Sequence, residues 1–126
     1  MKFDWSNYYS LAVKLNSEGV KGVPIEAVNR TCISRPYYSA FCLSRNKMLF
    51  EHDIQNPHGA SSHDAVISHF GRNANPKWQE IAHWLKLRKR ERIKADYHDD
   101  YSEAGKKDEF CLEKSIEIAA LLKSIS

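Results

Sequence analysis

The sequence predicts an all-α protein of about five helices that forms one domain over residues 1–126. Apolar residues recur at three- and four-residue spacing, and no alternating run longer than a few residues occurs. Most glycines and prolines fall between these periodic segments, where chain reversals are expected. A chain of 126 residues with 42% hydrophobic side chains, without repeats or a linker, suits a single core.

The first two helices are predicted at residues 5–17 and 24–50. Pro24 suits the first turn of the second helix, because a proline there lacks only an N–H group that would have no helical partner. Pro36 lies inside the same helix and is expected to kink it. Six residues of this helix recur at helical spacing and predict one buried face. They are Ile33, Tyr37, Ala40, Phe41, Ser44 and Met48.

The remaining three helices are predicted at residues 62–72, 77–97 and 106–125. Ser61 precedes the third helix and is followed by Asp64, which resembles a capping box. Pro57 and Gly59 mark the joint before the third helix. Asn75 and Pro76 mark the start of the fourth helix and Gly105 the start of the fifth.

Apolar runs are short, and no apolar stretch follows the lone lysine near the N-terminus, so we expect neither a membrane span nor a signal peptide. These features predict a cytoplasmic protein without membrane association. Cys32, Cys42 and Cys111 are odd in number and widely spaced, and no CxxC pair occurs. We therefore expect core cysteines and neither a disulfide framework nor a zinc site.

Positive charge is concentrated on the predicted fourth helix. Between Trp84 and Lys94 lie six positive side chains against the single carboxylate of Glu91, although the whole chain has a net charge of only +3. The rest of the chain is therefore net negative. A local concentration of this kind is typical of a surface that meets phosphates.

The packing stripe of the fourth helix changes from apolar to charged. Trp78, Ile81 and Leu85 share one face, and the same face continues through Arg88, Arg92 and Asp96. A charge on a packing face is costly unless it is paired or faces a polar cleft, which makes Arg92 a candidate functional cation. The alternative is an intrahelical Arg92–Asp96 pair at i,i+4.

His98 is the candidate partner of Arg92. An arginine that holds a phosphate and a histidine that moves a proton are the minimum equipment for cutting RNA without a metal. On an unbroken helix, however, six residues separate two side chains by about 9 Å and about 120°. Either the helix ends near Tyr97 and His98 swings round, or a second copy of the chain completes the site. His98 could instead be a simple helix cap.

Three segments, taken together and in this order, resemble the prokaryotic HEPN superfamily, in particular its small single-domain members. The first is the tyrosine pair in Ser34-Arg35-Pro36-Tyr37-Tyr38-Ser39-Ala40-Phe41. The second is Ser61-Ser62-His63-Asp64-Ala65-Val66-Ile67-Ser68-His69-Phe70, and the third is Arg92-Ile93-Lys94-Ala95-Asp96-Tyr97. The resemblance covers about residues 5–122. It implies an up-and-down helical bundle that often forms homodimers, and in active members a metal-independent endoribonuclease.

Carried onto this chain, the resemblance makes Arg92 and His98 the catalytic pair of an arginine, four to six residues, histidine motif. His98 would move a proton at the ribose 2′-OH or the leaving 5′ oxygen, and Arg92 would stabilise the phosphorane. RNA is the implied substrate, because DNA lacks the attacking hydroxyl. The candidate substrate-binding residues are Arg88, Lys89, Arg90, Asp96 and Tyr97.

The resemblance also implies partners and regulation. Such proteins often act as toxins or defence effectors beside a nucleotidyltransferase-like antitoxin, which in related toxins adenylylates a tyrosine after the motif histidine. Tyr101 follows His98 by three residues and is the candidate for this modification. Pro36 departs from the family pattern, in which a small helix former is usual, and a histidine after Ala-Asp-Tyr is not assured in the nearest subfamily.

The other histidines and the tyrosine pair have structural interpretations. His63 is expected at the edge of the core, although a catalytic role stays open, and Tyr37 and Tyr38 are expected to pack. His52, His58, His63 and His69 are spaced by six, five and six residues, which is not the i,i+4 spacing of a helical metal pair. We therefore predict no metal and no cofactor.

Two other classes of function remain open. A non-catalytic HEPN-like module that binds nucleotide, RNA or a protein partner would need neither Arg92 nor His98. A small DNA-binding protein would use the same basic helix, but a recognition helix at helix-turn-helix spacing is missing from the sequence.

Overall fold

The computed structural model describes residues 3–55 and 61–125, with the side chain of Ser61 excepted. In this part of the chain the regular structure is entirely helical. Its α-helices are α1 Asn7–Glu18, α2 Ile25–Asn46, α3 Ser61–Gly71, α4 Pro76–Tyr97 and α5 Ala104–Ser124. The prediction of an all-α bundle with about five helices is confirmed. None of the helices described is both long and apolar enough to cross a membrane.

The second helix differs from its predicted bounds. α2 ends at Asn46, and a π-helical turn, Lys47–Glu51, continues the chain. The backbone N–H of His52 donates to the carbonyl of Lys47 at 3.0 Å, which is the wider i→i+5 bond of a π-turn. α2 runs on through Pro36, whose side chain is fully buried. The expected single helix at residues 24–50 is therefore an α-helix followed by a π-turn.

The fourth helix begins where its sequence signals predict. The side chain of Asn75 accepts a hydrogen bond from the backbone N–H of Lys77 at 2.9 Å, and Pro76 occupies the first helical position. The predicted joint at Pro57 and Gly59, and the capping side chain of Ser61, lie outside the described part of the chain.

Helix α2 lies at the centre of the bundle and contacts α1, α4 and α5, whereas α3 packs mainly on α4. All six residues of the predicted face are buried, five of them in α2 and Met48 in the π-turn, with Tyr37 and Ala40 fully so. The main core joins this face to Phe70 of α3, Leu85 of α4 and Ile118 of α5. The tyrosine pair and the basic helix are thus neighbours in space as well as parts of one sequence resemblance.

A second, smaller cluster fixes the end of α4. Ile33, Ala95, Tyr101, Ala104 and Cys111 pack together where α4 ends and α5 begins. This cluster determines where the segment that carries His98 can lie. Cys111 and the other two cysteines are buried free thiols, as expected.

Candidate nucleic-acid interface

The basic residues of α4 divide into exposed and buried groups. Lys86 and Arg90 are exposed, and the side chains of Lys89 and Lys94 are partly exposed. Arg88 and Arg92 are buried, with exposed fractions of 7% and 6%. The exposed group can attract a polyanion, whereas the buried arginines need a structural or functional explanation.

Arg92 lies among aromatic rings and has few polar neighbours. Its guanidinium carbon is 5.4 Å from the ring centre of Tyr37, 5.3 Å from Tyr38 and 6.0 Å from Tyr97. Its Nε is buried without a hydrogen-bond partner among the described residues. The nearest carboxylate, Asp96, stands 3.9 Å from Nη1, at the outer limit of an ion pair. The predicted Arg92–Asp96 pair therefore exists but is loose.

Arg88 has a partner of another kind. Its Nη1 donates to Sγ of Cys111 at 2.9 Å, and its guanidinium carbon is 4.9 Å from the ring centre of Phe110. Both partners belong to α5, so Arg88 links two helices of the bundle. Its Nε is buried without a hydrogen-bond partner among the described residues. The structure places this predicted substrate-binding residue largely inside the fold, at the edge of a groove that it shares with Leu87, Arg90 and Lys94.

His98 is the C-terminal cap of α4. Its backbone N–H donates to the carbonyl of Lys94 at 3.1 Å, and its own backbone is extended, which ends the helix. The exposed ring lines a shallow groove of about 410 Å³ together with Leu87, Arg90 and Lys94. Arg92 does not line this groove. The single chain therefore places the two predicted catalytic side chains on different surfaces of α4.

Arg30 of α2 holds the backbone around His98. Its Nη1 donates to the carbonyls of Ala95 at 3.1 Å and His98 at 2.6 Å, and its Nη2 donates to that of Asp99 at 3.1 Å. Glu26 fixes the same guanidinium through Oε1. A cation at the C-terminus of a helix also interacts favourably with the helix dipole. These hydrogen bonds restrain the backbone, so a change in the position of the His98 ring is expected mainly from rotation of its own side chain.

Asp96 and Tyr97 lie on the open side of Arg92. The carboxylate side chain of Asp96 is 23% exposed, and Tyr97 is 70% exposed while its ring remains within reach of the guanidinium. Both predicted substrate-binding residues thus lie close to the Arg92 guanidinium and also reach solvent.

Lys89 and Arg90 line a second groove, between α3 and α4, together with Lys86. Lys89 Nζ bonds to a carboxylate oxygen of Asp64 at 3.1 Å, which ties the two helices together. This ion pair is partly exposed and contributes only modest stability. The groove remains a basic surface on which a polyanion can lie.

His63 is the histidine that shares the surroundings of Arg92. Its Nδ1 forms a 2.7 Å hydrogen bond with the hydroxyl of Tyr37, and its ring stacks on Phe41 at a centroid distance of 4.0 Å. Burial and the positive charges of Arg92 and Lys89 lower the pKa of His63 to about 4. His63 is therefore neutral at pH 7. The predicted position at the core edge is correct, but the contact with Tyr37 could not be read from the sequence.

Tyr101 is buried, and its hydroxyl donates a short hydrogen bond to Oε2 of Glu91. Lys107 Nζ bonds to Oε1 of the same carboxylate at 3.0 Å. Burial raises the pKa of the Tyr101 hydroxyl, and the hydrogen bond to Glu91 raises it further. Modification of Tyr101 requires this contact to open, because the hydroxyl oxygen would have to become accessible.

The remaining described histidines do not form a metal cluster. His52 Nδ1 and His69 Nε2 are 2.8 Å apart, and the ring of His52 stacks on Trp78. Within residues 3–55 and 61–125, no three histidine, cysteine, aspartate or glutamate side chains gather as a metal site would require. His58 lies outside the described residues.

Comparison with known proteins gives no relative. The chain matches no protein-family model, no curated protein and no solved structure. The functional interpretation therefore depends on the residues and their geometry.

Proposed function

We propose that this chain is a metal-independent endoribonuclease of the HEPN type, acting as a toxin or defence effector, with Arg92 and His98 as its catalytic residues. In this proposal the basic surface of α4 gathers RNA. Arg92 stabilises charge on the phosphorane, and His98 moves a proton at the 2′-OH or at the 5′ oxygen. The products would be a 2′,3′-cyclic phosphate and a free 5′-hydroxyl.

The surroundings of Arg92 carry the proposal. A buried arginine in a purely structural role normally donates several hydrogen bonds, because unpaired buried charge is costly. Arg92 is 6% exposed, yet no hydrogen bond from its guanidinium is found among the described residues. A phosphate oxygen is a natural acceptor for such a group, since guanidinium donors match phosphate geometry.

The proposed active unit is a homodimer. Arg92 and His98 lie on different surfaces of α4, and Arg30 fixes the backbone at His98. A swing of His98 towards its own Arg92 is therefore disfavoured. A two-fold pairing would let Arg92 of one copy meet His98 of the other, because each copy contributes the same surface.

Cleavage assays test the proposal directly. The protein should cut single-stranded RNA in the presence of a chelator, because no metal supplies the nucleophile. Arg92→Ala and His98→Ala should each remove most of this activity while preserving the helical circular dichroism spectrum. Lack of cleavage by the wild-type protein, or unchanged cleavage by His98→Ala, contradicts the proposal.

Mixing the two inactive variants tests the shared site. In a randomly mixed dimer population, about half the dimers carry one Arg92→Ala and one His98→Ala chain. Each such dimer keeps one intact composite site if the two residues act across the interface. We expect recovery of about a quarter of wild-type activity. Sites confined to single chains would give no recovery.

One observation favours a second candidate, a non-catalytic HEPN-like module that binds nucleotide, RNA or a protein partner. His98 and Arg92 do not share a groove in the single chain. Such a module would bind RNA without cutting it, and complementation between the variants would fail. Binding that persists in His98→Ala without any cleavage by the wild type would support this module.

The proposed regulator is a nucleotidyltransferase-like antitoxin that modifies Tyr101. An added nucleotide would place a bulky anion beside the basic helix and repel RNA. Mass spectrometry after co-expression with an adjacent nucleotidyltransferase gene tests this step. A Tyr101 that always remains unmodified argues against it.

A further inference from the structure

The region of Arg92 contains a second polar group that the arginine, five residues, histidine motif does not include. His63 on α3 and Arg92 on α4 both face the aromatic pair of α2. The ring centre of Tyr37 is 5.7 Å from that of His63 and 5.4 Å from the guanidinium carbon of Arg92. The ring centre of Tyr38 is 6.3 Å from that of His63 and 5.3 Å from the guanidinium carbon of Arg92. Three helices thus bring one histidine and one arginine to the same pair of rings.

The two nitrogens of His63 have different surroundings. Nδ1 is engaged by the hydroxyl of Tyr37 at 2.7 Å. Tyr37 is fully buried, and a buried phenol needs an acceptor for its proton. Donation from Tyr37 to Nδ1 leaves the proton of the neutral ring on Nε2. Among the described residues, no hydrogen bond to Nε2 of His63 is found.

We propose that Arg92 and His63 together form a two-point phosphate site, in which the guanidinium and the Nε2–H of His63 donate to oxygens of one RNA phosphodiester. Tyr37 is the positioning residue, because its hydroxyl selects the ring tautomer that leaves Nε2 as a donor. The assignment of RNA as the source of the phosphate rests on the proposed function.

The charges around His63 fit a neutral donor. Tyr37 and Tyr38 face it from α2, Asp64 adjoins it on α3, and Lys89 and Arg92 face it from α4. A neutral imidazole donates one hydrogen bond to an anion and adds no repulsion towards Arg92. A bound phosphate would partly cancel the charge of Arg92, and this linkage gives a readout that does not depend on catalysis.

Asp96 is the resident competitor for the site. Its carboxylate lies 3.9 Å from Arg92 Nη1, on the open side of the guanidinium. A phosphodiester approaching Arg92 must overcome the repulsion of this carboxylate. Asp96→Asn should therefore strengthen phosphate binding, whereas the same loss of charge at the exposed Asp100 should have a much smaller effect.

Nuclear magnetic resonance provides the binding test. A single-stranded 2′-O-methyl oligonucleotide resists cleavage and serves as the probe, with inorganic phosphate as a second arm. We expect the oligonucleotide to raise the pKa of His63 by about one unit or more, because a bound anion favours the protonated ring. Inorganic phosphate should act in the same direction at much higher concentration if the site reads only the phosphate. No change in His63 with either probe overturns the inference.

Variants test the individual donors. His63→Gln should weaken oligonucleotide binding about tenfold, the effect of one lost charge-assisted hydrogen bond. The matched control is His69→Gln, which changes another half-buried histidine of α3. Tyr37→Phe keeps the ring but removes the hydroxyl, so it should weaken binding less than His63→Gln and shift the pKa of His63. Equal binding by wild type, His63→Gln and Tyr37→Phe overturns the inference even if one variant folds poorly.

The outcomes separate this inference from the proposed function. If oligonucleotide binding raises the pKa of His63 but the protein never cuts RNA, the phosphate site is supported and the proposed ribonuclease function is contradicted. If the protein cuts RNA and His63→Gln cuts it equally well, the ribonuclease function is supported and the phosphate site is contradicted.

Discussion

Replacing Arg30 by methionine should destabilise the fold, whereas the same replacement of Arg92 should leave stability nearly unchanged. Both arginine side chains are largely buried, Arg92 in the C-terminal half of α4 and Arg30 in contact with that half. Methionine keeps a similar unbranched stem in either position. Arg30 donates to four backbone carbonyls, three of them at 3.1 Å or less and that of Lys94 at 3.5 Å, and it pairs with Glu26. Arg92 has rings around it and one loose carboxylate contact.

The expected magnitudes follow from these contacts. Losing the three shorter carbonyl contacts of Arg30, at about 0.5–1.5 kcal/mol each, should lower the free energy of unfolding by about 1.5–4.5 kcal/mol. Three ring contacts of Arg92, at about 0.5–1 kcal/mol each, favour the folded state. Desolvation of the same charge opposes them by several kcal/mol. The free energy of unfolding of Arg92→Met should therefore lie within about 1 kcal/mol of the wild-type value, or above it.

Urea unfolding at pH 7, followed by circular dichroism at 222 nm, measures both variants. Protein concentration must be matched, because a dimer gains apparent stability with concentration. We expect Arg30→Met to unfold at distinctly lower urea and Arg92→Met to unfold close to wild type. If Arg92→Met loses as much stability as Arg30→Met, Arg92 is a structural residue, and the reasoning that assigns it to a ligand is wrong.

Further predictions concern charge, pH and assembly. Neutralising Lys89 or Arg90 to glutamine should weaken RNA binding and reduce the slope of log affinity against log salt by about one for each lost phosphate contact, as salt-dependent filter binding would measure. Burial raises the pKa of the Glu91 carboxyl, but bonds from Tyr101 and Lys107 outweigh burial and hold it below the usual value. The contribution of Glu91 to the free energy of unfolding should thus be full above about pH 4.3, and it should disappear as the pH falls through the lowered pKa of the folded state. Unfolding curves measured at several pH values should show that Glu91→Gln lacks this loss of stability at low pH. An unchanged loss would show that the contacts of Glu91 with Tyr101 and Lys107 do not cause it. Sedimentation should show a dimer at micromolar concentration, and a monomer there would count against the shared site.

The fold was accessible from the sequence because its signals are local. The spacing of Ile33, Tyr37 and Phe41 defines a buried face without any knowledge of its partner, and the structure confirms that face. Asn75 and Pro76 mark a helix start through their own backbone chemistry. The π-turn at Lys47–Glu51 was missed, because its residues continue the apolar pattern of α2 and only the backbone hydrogen bond to Lys47 distinguishes it.

The candidate site was less accessible, since its contacts join residues distant in sequence. The hydrogen bond between Tyr37 and His63 spans 26 positions, and the one between Arg30 and His98 spans 68. Periodicity identifies the face on which each residue lies but gives no information about the helix opposite. The only available signal was that His63 shares an apolar face of its helix, which is equally typical of a histidine with a purely structural role.

Arg88 and Arg92 illustrate what a broken pattern can and cannot reveal. Both interrupt the apolar stripe of α4 one turn apart, so the sequence gives them equal standing as charges on a packing face. In the structure Arg88 donates to Cys111 and lies against the rings of Phe110 and Trp84, whereas Arg92 lies against tyrosine rings with one carboxylate at 3.9 Å. The Nε atoms of both arginines are buried without a hydrogen-bond partner among the described residues. They differ in their terminal nitrogens, because Arg88 donates from Nη1 to Cys111, whereas Arg92 has only the carboxylate of Asp96 at 3.9 Å. A buried charge with fewer partners in the fold is the better candidate for binding a ligand, and this difference, which depends on neighbouring helices, supports the role proposed for Arg92.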